Sequence, residues 1–500
     1  MSFRSIGRAV GVCCIIVLVL GLAGCGEDDQ IAKEYDVIVV GSGLAGHGAV
    51  FNAVRNDATV LWIEKNDSLG GTAQWATGTF SAAGTELQEQ KGIEDSPEQH
   101  VADINRIGKG EADQDLLRLF AEKAADVWEL LVEIGLEPNP DGPVIDPVHS
   151  PYSVARTMTP QENSAMEFNA TMKKVIDDHK KQVTTLLSTE VTGLVTEEDA
   201  VAGVTAVTDG EETEYRGEAV VLATGGYGSN HEMIRTHSPK FAEIRTVTPP
   251  HATGDGIRMA EELGANLVHM DFMVPYFGGI PESPDDYRVG FSDLTSGFAE
   301  RWKGDIWVGP DGTRFVNEDD PDEDVRETAL LDVEDTRVVI IFDQGVVEAN
   351  DGVVPVRGFE ERLENGYAVK SAGSLEELAA AFDLPADNLK QTVEVINQAA
   401  ESGEPEPQFG KETNFELDNP PYYGILCYGV TFMTQGGVDT NTRMEVLDAE
   451  GSVIPGLYAA GEVQGTAQWS GHGYAGGAGN APAIIFGMEA GKNAAAYAMQ

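Results

Sequence analysis

The chain has 500 residues, of which 42% are hydrophobic, so it is long enough to bury a large core and to form roughly two or three domains. It carries 83 Asp and Glu against 33 Lys and Arg, and the formal charge of −50 repels phosphate backbones, which argues against nucleic-acid binding. The same charge fits a well-solvated surface or a docking face for a basic partner such as an electron carrier.

The N-terminus has the layout of a secretory signal peptide. Two arginines precede an apolar run at residues 9–22, and small residues lead from it to Cys25. The run is shorter than the roughly 20 residues of a membrane-spanning helix. Because the segment resembles a bacterial lipoprotein signal, we expect residues 1–24 to be removed, Cys25 to carry lipid and residues 25–33 to be a spacer. The mature chain would be a membrane-anchored lipoprotein outside the cytoplasm, in the periplasm or at the outer membrane.

The cysteines give no covalent redox centre. Removal of the signal would leave Cys25 and Cys427, so a disulfide framework is not expected. The sequence contains no Cys-x-x-Cys-His motif for covalent haem and no cysteine cluster for an iron–sulfur centre. We therefore expect the chain to exchange electrons with a separate carrier, linked to a cytochrome or a quinone.

Residues 35–46 are predicted to form a buried strand that runs through a glycine turn into a helix. In this segment Gly41 allows a tight turn, Gly43 lets backbone approach a pyrophosphate, and Gly46 lets helix and strand pack closely. The following predicted strand ends at Glu64, which would bind ribose hydroxyls. This spacing predicts a Rossmann-like dinucleotide-binding fold.

The glycine-marked pattern returns three more times, at residues 69–71, 219–226 and 456–462. Each of these segments lies beside the end of an apolar strand, where side chains would collide with an extended ligand and glycine is required. FAD is the dinucleotide long enough to need all of these approaches. The chain is therefore predicted to bind FAD without a covalent link.

Residues 271–434 alternate between strand-like and helical pieces and are flanked on both sides by flavin-binding sequence. We predict an α/β fold, in which a Rossmann-like FAD-binding domain is formed by residues 34–270 and 435–500. An inserted α+β capping domain for the substrate would occupy residues 271–434. The sequence contains no internal repeat.

With these motifs placed, the chain resembles the soluble fumarate reductase flavoproteins of the FAD-dependent oxidoreductase 2 family, which also includes urocanate reductases and ketosteroid dehydrogenases. The resemblance covers nearly all of residues 34–500 and implies a mobile cap that closes the substrate over the flavin N5 atom. It rests on the segments 70–78, 223–226, 253–256, 312–318, 454–462 and 480–481.

The family pattern, together with the glycine motifs, names the residues expected to contact FAD. No metal ligands are predicted. The expected contacts are Gly41, Gly43, Ala45, Gly46, Glu64, Lys65, Gly71, Thr72, Ala73, Thr77, Gly78, Val191, Ala223, Thr224, Gly225, Asp255, Gly461, Glu462, Asn480 and Ala481.

The chain departs from the fumarate-reducing members at the positions that hold the dicarboxylate. Tyr276 and Met433 stand where those members have histidines, and Gly297 and Phe298 stand where they have a threonine and a glutamate. Their clamp arginine has no counterpart in residues 471–479. Carboxylates buried without such partners would cost several kcal/mol, so we expect fumarate not to be the substrate.

The glycine-rich segment 471–479 is more similar to that of the ketosteroid dehydrogenases, in which a tyrosine hydroxyl holds a ketone oxygen. This resemblance implies that Tyr474 anchors a carbonyl and that Tyr276 supplies a second hydroxyl near the flavin. His472 is either a proton relay or a hydrogen-bonding loop residue. The apolar wall of the substrate site is expected to comprise Phe272, Phe277, Phe298 and Met433.

The proton donor has two candidate positions in the segment after Glu318, and a tyrosine is the third candidate. In the fumarate-reducing members an arginine four residues beyond the motif glutamate protonates the substrate, and the ungapped register puts Asp322 there. A four-residue loop insertion would put Arg326 there instead. The acidic run between Glu318 and Arg326 is loop-like, and it is either such an insertion or simply a solvated loop.

These expectations describe an extracytoplasmic FAD-dependent oxidoreductase. It would reduce or form a C=C bond conjugated to a carbonyl in a small organic substrate, which is uncharged or singly charged, with hydride exchanged at the flavin N5 atom. One alternative is a fumarate-type reductase with relocated ligands. The other is a non-catalytic flavin lipoprotein that transfers electrons.

Overall fold

The structure is a computed structural model that describes residues 34–146, 150–290 and 302–500. The signal peptide, Cys25, Gly297 and Phe298 of the sequence predictions therefore lie outside the described residues. Within the described ranges, no helix combines the length and the apolarity that crossing a bilayer would require.

The described elements alternate between strands and helices along most of the chain. The strands are β1 Tyr35–Val40, β2 Val60–Ile63, β3 Phe80–Ser81, β4 Thr157–Met158, β5 Val183–Leu186, β6 Thr189–Glu197, β7 Ala200–Thr208, β8 Glu211–Leu222, β9 Arg245–Thr246, β10 Leu267–Val268, β11 Tyr276–Gly279, β12 Ile306–Val308, β13 Arg337–Asp343, β14 Val369–Ala372, β15 Tyr422–Thr431, β16 Gly437–Val438, β17 Glu445–Leu447 and β18 Val453–Ala459. The helices are α1 Leu44–Arg55, α2 Glu86–Gln90, α3 Pro97–Ile107, α4 Gln114–Glu133, α5 Met166–Asp178, α6 His231–His237, α7 Asp255–Glu262, α8 Glu323–Ala329, α9 Gln344–Ala349, α10 Phe359–Asn365, α11 Leu375–Ala381, α12 Ala386–Ser402, α13 Ala467–Ser470 and α14 Asn480–Ala498.

The main sheet has the strand order β17-β18-β8-β1-β2-β5, and β6 and β7 extend β8 as antiparallel strands. Strand β1 pairs in parallel with β2 and β8, and β8 pairs in parallel with β18. Strand β1 is almost wholly apolar because it is covered on both faces, as parallel strands are. Strands and helices of this arrangement confirm the predicted α/β fold.

Helices α1 and α14 pack against each other beside the main sheet. A Cβ at Gly487 of α14 would lie 2.3 Å from the carbonyl oxygen of Ala45 in α1, so only glycine allows this close contact. Helix α14 begins at Asn480, and its first turn lies next to the segment before β3: the Asn480 amide donates to the carbonyl oxygens of Thr77 and Thr79, at 2.7 and 2.9 Å. The packing of α1 on α14 therefore fixes the first turn of α14 next to the segment before β3.

A second sheet has the order β11-β15-β13-β12, with β9 and β14 also paired to the long strand β15. It has its own hydrophobic core, which includes Trp307, Ile340 and Ile425. Strands β10 and β16, which come just before β11 and just after β15 in the sequence, pair with each other as antiparallel strands. The domain boundaries at residues 270/271 and 434/435 remain predictions.

Candidate active site

A cavity of about 620 Å³ lies at the carboxyl ends of β1, β2, β8 and β18 and extends to the second sheet. Ligands of open α/β folds bind at this edge of the sheet, where loops diverge from the strand ends. The cavity brings together most of the residues predicted to contact FAD. Those in its lining are Gly41, Gly43, Ala45, Glu64, Lys65, Gly71, Thr72, Ala73, Thr77, Val191, Ala223, Thr224, Gly225, Asp255, Gly461, Glu462 and Asn480.

Three of the predicted contacts lie behind this lining. A Cβ at Gly46 would lie 2.2 Å from the carbonyl oxygen of Gly41, and one at Gly78 would lie 2.6 Å from Cδ of Pro160. Ala481 is fully buried in the first turn of α14. These small residues let segments of the wall pack closely, and their contact with FAD stays a prediction.

The glycine turn between β1 and α1 is shaped for a ligand. Gly41 has φ +99°, and a Cβ there would lie 2.3 Å from the Ala223 carbonyl oxygen, so glycine is required. Gly43 precedes the first turn of α1, and a Cβ built on it would meet no heavy atom of the described chain within 4 Å. The space in front of this helix N-terminus is therefore part of the cavity, where unpaired amides favour a phosphate.

Two buried side chains that the sequence did not identify hold this turn. The indole of Trp62 donates a hydrogen bond to the Gly41 carbonyl oxygen at 2.9 Å, and Nδ1 of His47 lies 2.9 Å from the Ser42 carbonyl oxygen. Burial lowers the pKa of His47 to about 4, so the ring is neutral and Nδ1 can carry the donated proton. With these carbonyls held away from the cavity, the amides of the turn remain available to a ligand.

Glu64 is tied into the same region. The Ser42 hydroxyl donates to Glu64 Oε2 at 2.6 Å, and the same hydroxyl accepts the backbone N–H of Gly70 at 3.0 Å. Lys65, the next residue, forms an ion pair with Asp255 at 2.6 Å. The end of β2, the glycine turn and the start of α7 are thus linked around the end of the cavity where the adenosine part of a dinucleotide lies.

Thr224 Oγ1 and His251 Nε2 are buried polar atoms of the lining that have no hydrogen-bond partner among the described residues. Buried polar atoms are normally paired, so both indicate a polar ligand inside the cavity. Together with the open space before Gly43, they show that the residues present fit FAD. Sequence reasoning missed His251, as it missed Trp75, Asn163 and Asp146, because these lining residues lie in loops without a periodic pattern.

The far end of the cavity, at the second sheet, is aromatic. Phe277 stacks on Trp307 with ring centroids 3.7 Å apart, and Tyr276 lies against Phe432 at 4.0 Å. Tyr276 also meets Tyr474 edge to face at 5.9 Å. All five rings line the cavity, as does Met433. The predicted wall residues Phe277 and Met433 are therefore in place, whereas Phe272 is not in the lining.

A buried ion cluster supports this wall from behind. Glu318 Oε1 accepts the backbone N–H of Trp307 at 2.9 Å, and Glu318 Oε2 accepts a guanidinium N–H of Arg314 at 2.6 Å. Although burial opposes its charge, the Lys411 ammonium and the Arg314 guanidinium hold the pKa of Glu318 below its usual range. The motif at residues 312–318 thus fixes β12, and with it Trp307.

The two candidate proton donors lie in different places. Arg326, on α8, is buried and lines the cavity, and its guanidinium donates to the carbonyl oxygen of Asp320. Asp322 is not part of the lining, and it accepts a hydrogen bond from the Ser150 hydroxyl at 3.5 Å. The acidic run therefore forms a loop that leads into α8, and the structure brings Arg326 rather than Asp322 to the cavity.

Tyr474 is suited to donate a hydrogen bond. Burial, with the nearby Asp146 carboxylate as a second cause, raises the pKa of Tyr474 to about 12. The phenol therefore keeps its proton at neutral pH. Asp146 lies in the cavity lining together with Tyr474 and Tyr276, so the two predicted tyrosines do face the same space.

His472 turns away from the cavity. Its Nδ1 lies 2.7 Å from Oε2 of Glu111, and its ring stacks on Phe272 at 3.6 Å. The cause is local, because Gly471 takes φ +61° and the His472 N–H donates to the carbonyl oxygen of Gly108 at 3.1 Å. A hydrogen-bonding loop residue, one of the two roles considered for His472, accounts for this position, and the relay role stays a prediction.

Comparisons with known proteins agree with this geometry. The model of a family described as FAD binding domain matches residues 36–481. A probable fumarate reductase of Shewanella frigidimarina is 32% identical over 479 residues, which cover 94% of this chain and 76% of that protein. A vinyl phenol reductase of Lactiplantibacillus plantarum is 29% identical over 460 residues, which cover 86% of this chain and 89% of that protein.

A solved structure has a similar architecture throughout. It is a 3-ketosteroid Δ4-(5α)-dehydrogenase from Rhodococcus jostii RHA1 in complex with 4-androstene-3,17-dione, with 28% identity and a TM-score of 0.68. The match covers 93% of this chain and 97% of that one. The comparisons confirm the resemblance that the sequence motifs carried.

Proposed function

Because the chain belongs to the FAD binding domain family and is an FAD-dependent oxidoreductase acting on carbon–carbon bonds, we propose that its substrate is an uncharged or singly charged alkene conjugated to a carbonyl. The observation that carries this proposal is the aromatic far end of the cavity, where four other rings line the same space as Tyr474 and Arg326. The reaction is reduction of the C=C bond or its formation from the saturated compound.

Charge supports this substrate class. Among the described residues at the far end, the lining has one guanidinium, Arg326, and two carboxylates, Asp146 and Glu327. A dicarboxylate would bring two further negative charges to a single cation, and buried charges without partners are strongly disfavoured. A neutral or singly charged substrate meets no such penalty. The names of two relatives, a vinyl phenol reductase and a ketosteroid dehydrogenase, point to substrates without carboxylates, and the second also points to a carbonyl.

Tyr474 is proposed to bind the carbonyl oxygen of the substrate. The chemistry that FAD supplies when bound is hydride exchange at its N5 atom. A hydrogen bond from the Tyr474 hydroxyl withdraws electron density from the conjugated alkene, and it stabilises the negative charge that develops on the oxygen. The aromatic rings around it exclude water, which strengthens this hydrogen bond.

Arg326 is proposed as the proton donor for the second alkene carbon. Its position in the lining, and the position of Asp322 outside it, support this choice. In reduction a hydride is added to one carbon and a proton from an Arg326 Nη atom to the other, so the C=C bond becomes a single bond. Dehydrogenation runs in reverse, and the proton returns to the guanidinium nitrogen.

We also propose the cellular context that the N-terminal sequence indicates. Lipid on Cys25 would anchor the mature chain to a membrane outside the cytoplasm, in the periplasm or at the outer membrane. Its electron partner would be a separate carrier, linked to a cytochrome or a quinone, since the sequence contains no haem or iron–sulfur motif. The acidic surface, with its formal charge of −50, fits a basic carrier protein.

Rapid-mixing experiments test the proposed substrate class. The holoprotein is reduced under anaerobic conditions and mixed with enones, aryl acrylates, urocanate or fumarate, and flavin absorbance follows reoxidation. We expect fast reoxidation by enones or aryl acrylates. Fast reoxidation by fumarate would instead support a relocated dicarboxylate site, and no reoxidation by any acceptor would support an electron-transfer module.

A further inference from the structure

Trp75 and His251 lie opposite each other at the edge of the cofactor end of the cavity. Trp75 follows the short helix Gly71–Gln74, and His251 lies in the loop before α7. Their ring centroids are 5.7 Å apart, and both residues line the cavity. Two segments that are distant in the sequence therefore meet across the opening.

His251 presents an unsatisfied polar atom to this space. Its Nε2 is buried and has no hydrogen-bond partner among the described residues. Burial lowers the pKa of His251, although the Glu64 carboxylate opposes this, so the imidazole is neutral at pH 7. A neutral imidazole nitrogen either donates or accepts a hydrogen bond, so ribose hydroxyls and phosphate oxygens are suitable partners.

The neighbouring side chains are already engaged. Lys65 Nζ lies 2.6 Å from Asp255 Oδ2 and donates to the Thr253 hydroxyl at 2.8 Å. Glu64 accepts hydrogen bonds from the Ser42 hydroxyl and from Asn66. His251 Nε2, like Thr224 Oγ1 elsewhere in the lining, therefore lacks a partner among the described residues, and a ligand in the cavity can supply one.

Trp75 differs from the other tryptophans of the chain. Its side chain is 56% exposed, whereas the other five of the six tryptophans are buried. A large apolar ring at the rim of a cavity is well placed to cover a ligand, because its flat face loses water when the ligand binds. Covering a bound ligand would therefore account for this exposed ring at the edge of the cavity.

We propose that Trp75 and His251 form a clasp over FAD, in which His251 Nε2 hydrogen-bonds an oxygen atom of the ribose-phosphate part and Trp75 covers the same part from solvent. The clasp retains the cofactor and takes no part in the chemistry at the far end. It joins the loop before β3 to the loop before α7.

The rate of FAD release from the holoprotein tests the clasp. Replacement of His251 by Phe keeps a ring against Trp75 but removes Nε2, and we expect release about tenfold faster, as followed by the fluorescence of free FAD. Replacement by Gln restores a polar atom and should return the rate to within about threefold of the wild type. Release at the wild-type rate from the Phe variant would overturn the assignment.

His231 offers a matched control. It is also a partly buried imidazole whose nitrogens lack partners among the described residues, and it lies against the Tyr287 ring at 4.3 Å, but it does not line the cavity. Replacement of His231 by Phe should leave FAD release unchanged. If the His231 and His251 variants release FAD equally fast, the effect is general loosening and the clasp is refuted.

The exposure of Trp75 gives an independent readout. In the holoprotein acrylamide should quench its fluorescence weakly, and after FAD is removed the quenching should increase. The Trp75→Phe variant should lose this increase, because the other tryptophans are buried in either case. ADP, which lacks the flavin ring, should slow FAD uptake by the FAD-free chain, and about tenfold more ADP should be needed in the His251→Phe variant. Equal quenching with and without FAD would contradict the clasp.

Discussion

The ring of Tyr276 meets the ring of Tyr474 edge to face, with centroids 5.9 Å apart, although the two residues are far apart in the sequence. Tyr276 begins β11 of the second sheet, whereas Tyr474 lies in the glycine-rich loop before α14. The far end of the cavity is thus completed only where the two parts of the molecule meet.

Removal of the Tyr474 hydroxyl should slow the reaction and leave the cofactor bound. A single donor to a developing oxyanion contributes roughly 10²–10³ in rate, so we expect Tyr474→Phe to lose about that factor in kcat with an active acceptor. The measurement is single-turnover reoxidation of the reduced flavin. Since the pKa of Tyr474 is raised to about 12, the wild-type rate should not fall through its ionisation at pH 9 to 10.

Tyr458 provides the control for this substitution. It is a buried tyrosine in β18 that does not line the cavity. Tyr458→Phe also removes a buried hydroxyl, and it should keep the wild-type rate. Full activity of Tyr474→Phe would remove Tyr474 as the carbonyl anchor.

One pair of variants distinguishes Arg326 from Asp322 as the proton donor. We expect Arg326→Gln to lose roughly 10²–10⁴ in the reduction rate, since general acid catalysis contributes about this much, while Asp322→Asn stays within about threefold of the wild type. FAD content is measured in both, so that a folding defect is not mistaken for lost proton transfer. A larger loss of reduction rate in the Asp322 variant would instead support Asp322, the residue that the ungapped register puts at the donor position.

The cofactor end could be predicted from the sequence because its constraints are local. Gly41 and Gly43 are required by a tight turn and a close approach, and the ends of parallel strands necessarily meet at one edge of the sheet. Glu64 follows from the position where β2 ends. Each of these statements needs only a few neighbouring residues, so one sequence suffices.

The far end could not be derived in the same way. The choice between Asp322 and Arg326 depends on the length of an acidic loop, and no periodic pattern fixes a loop length. His472 lies two residues from Tyr474 but turns towards Glu111, because Gly471 adopts a left-handed conformation. The contact of Trp75 with His251 joins loops that are far apart in the sequence, so neither residue alone indicates a site.

Replacement by alanine should weaken FAD binding at Gly43 and lower folding stability at Gly46. At Gly43, φ is −67° and an added Cβ meets no described atom within 4 Å, so Gly43→Ala should fold normally but bind FAD at least about tenfold more weakly. At Gly46 the added Cβ would lie 2.2 Å from a carbonyl oxygen, so Gly46→Ala should lower the unfolding temperature. Thermal unfolding of the FAD-free chains and FAD titration measure the two effects. Equal melting points would contradict this distinction.

Asp305 should make the fold less stable as pH rises, whereas most paired carboxylates make a fold more stable as pH rises. It is buried, and its Oδ2 accepts the indole N–H of Trp307 at 2.8 Å. Burial raises the pKa of Asp305 from its ordinary value of 3.8 to about 6, and the Lys411 ammonium partly offsets this effect. Between these pH values the folded chain holds more protons at this site than the unfolded chain. The contribution of Asp305 to stability therefore falls as pH rises from about 4 to about 6, because its ionised form is disfavoured by burial.

Asp305→Asn removes this ionisation but keeps an oxygen that can accept the Trp307 N–H. The variant should gain stability relative to the wild type as pH rises, by roughly 2–3 kcal/mol between pH 4 and pH 7, because each tenfold change in proton affinity corresponds to about 1.4 kcal/mol. Denaturant unfolding at several pH values measures the difference, and Asp178→Asn on the exposed end of α5 controls for the loss of a surface acid. A difference that stays constant across this range would mean that Asp305 remains charged in the fold, with Lys411 outweighing its burial.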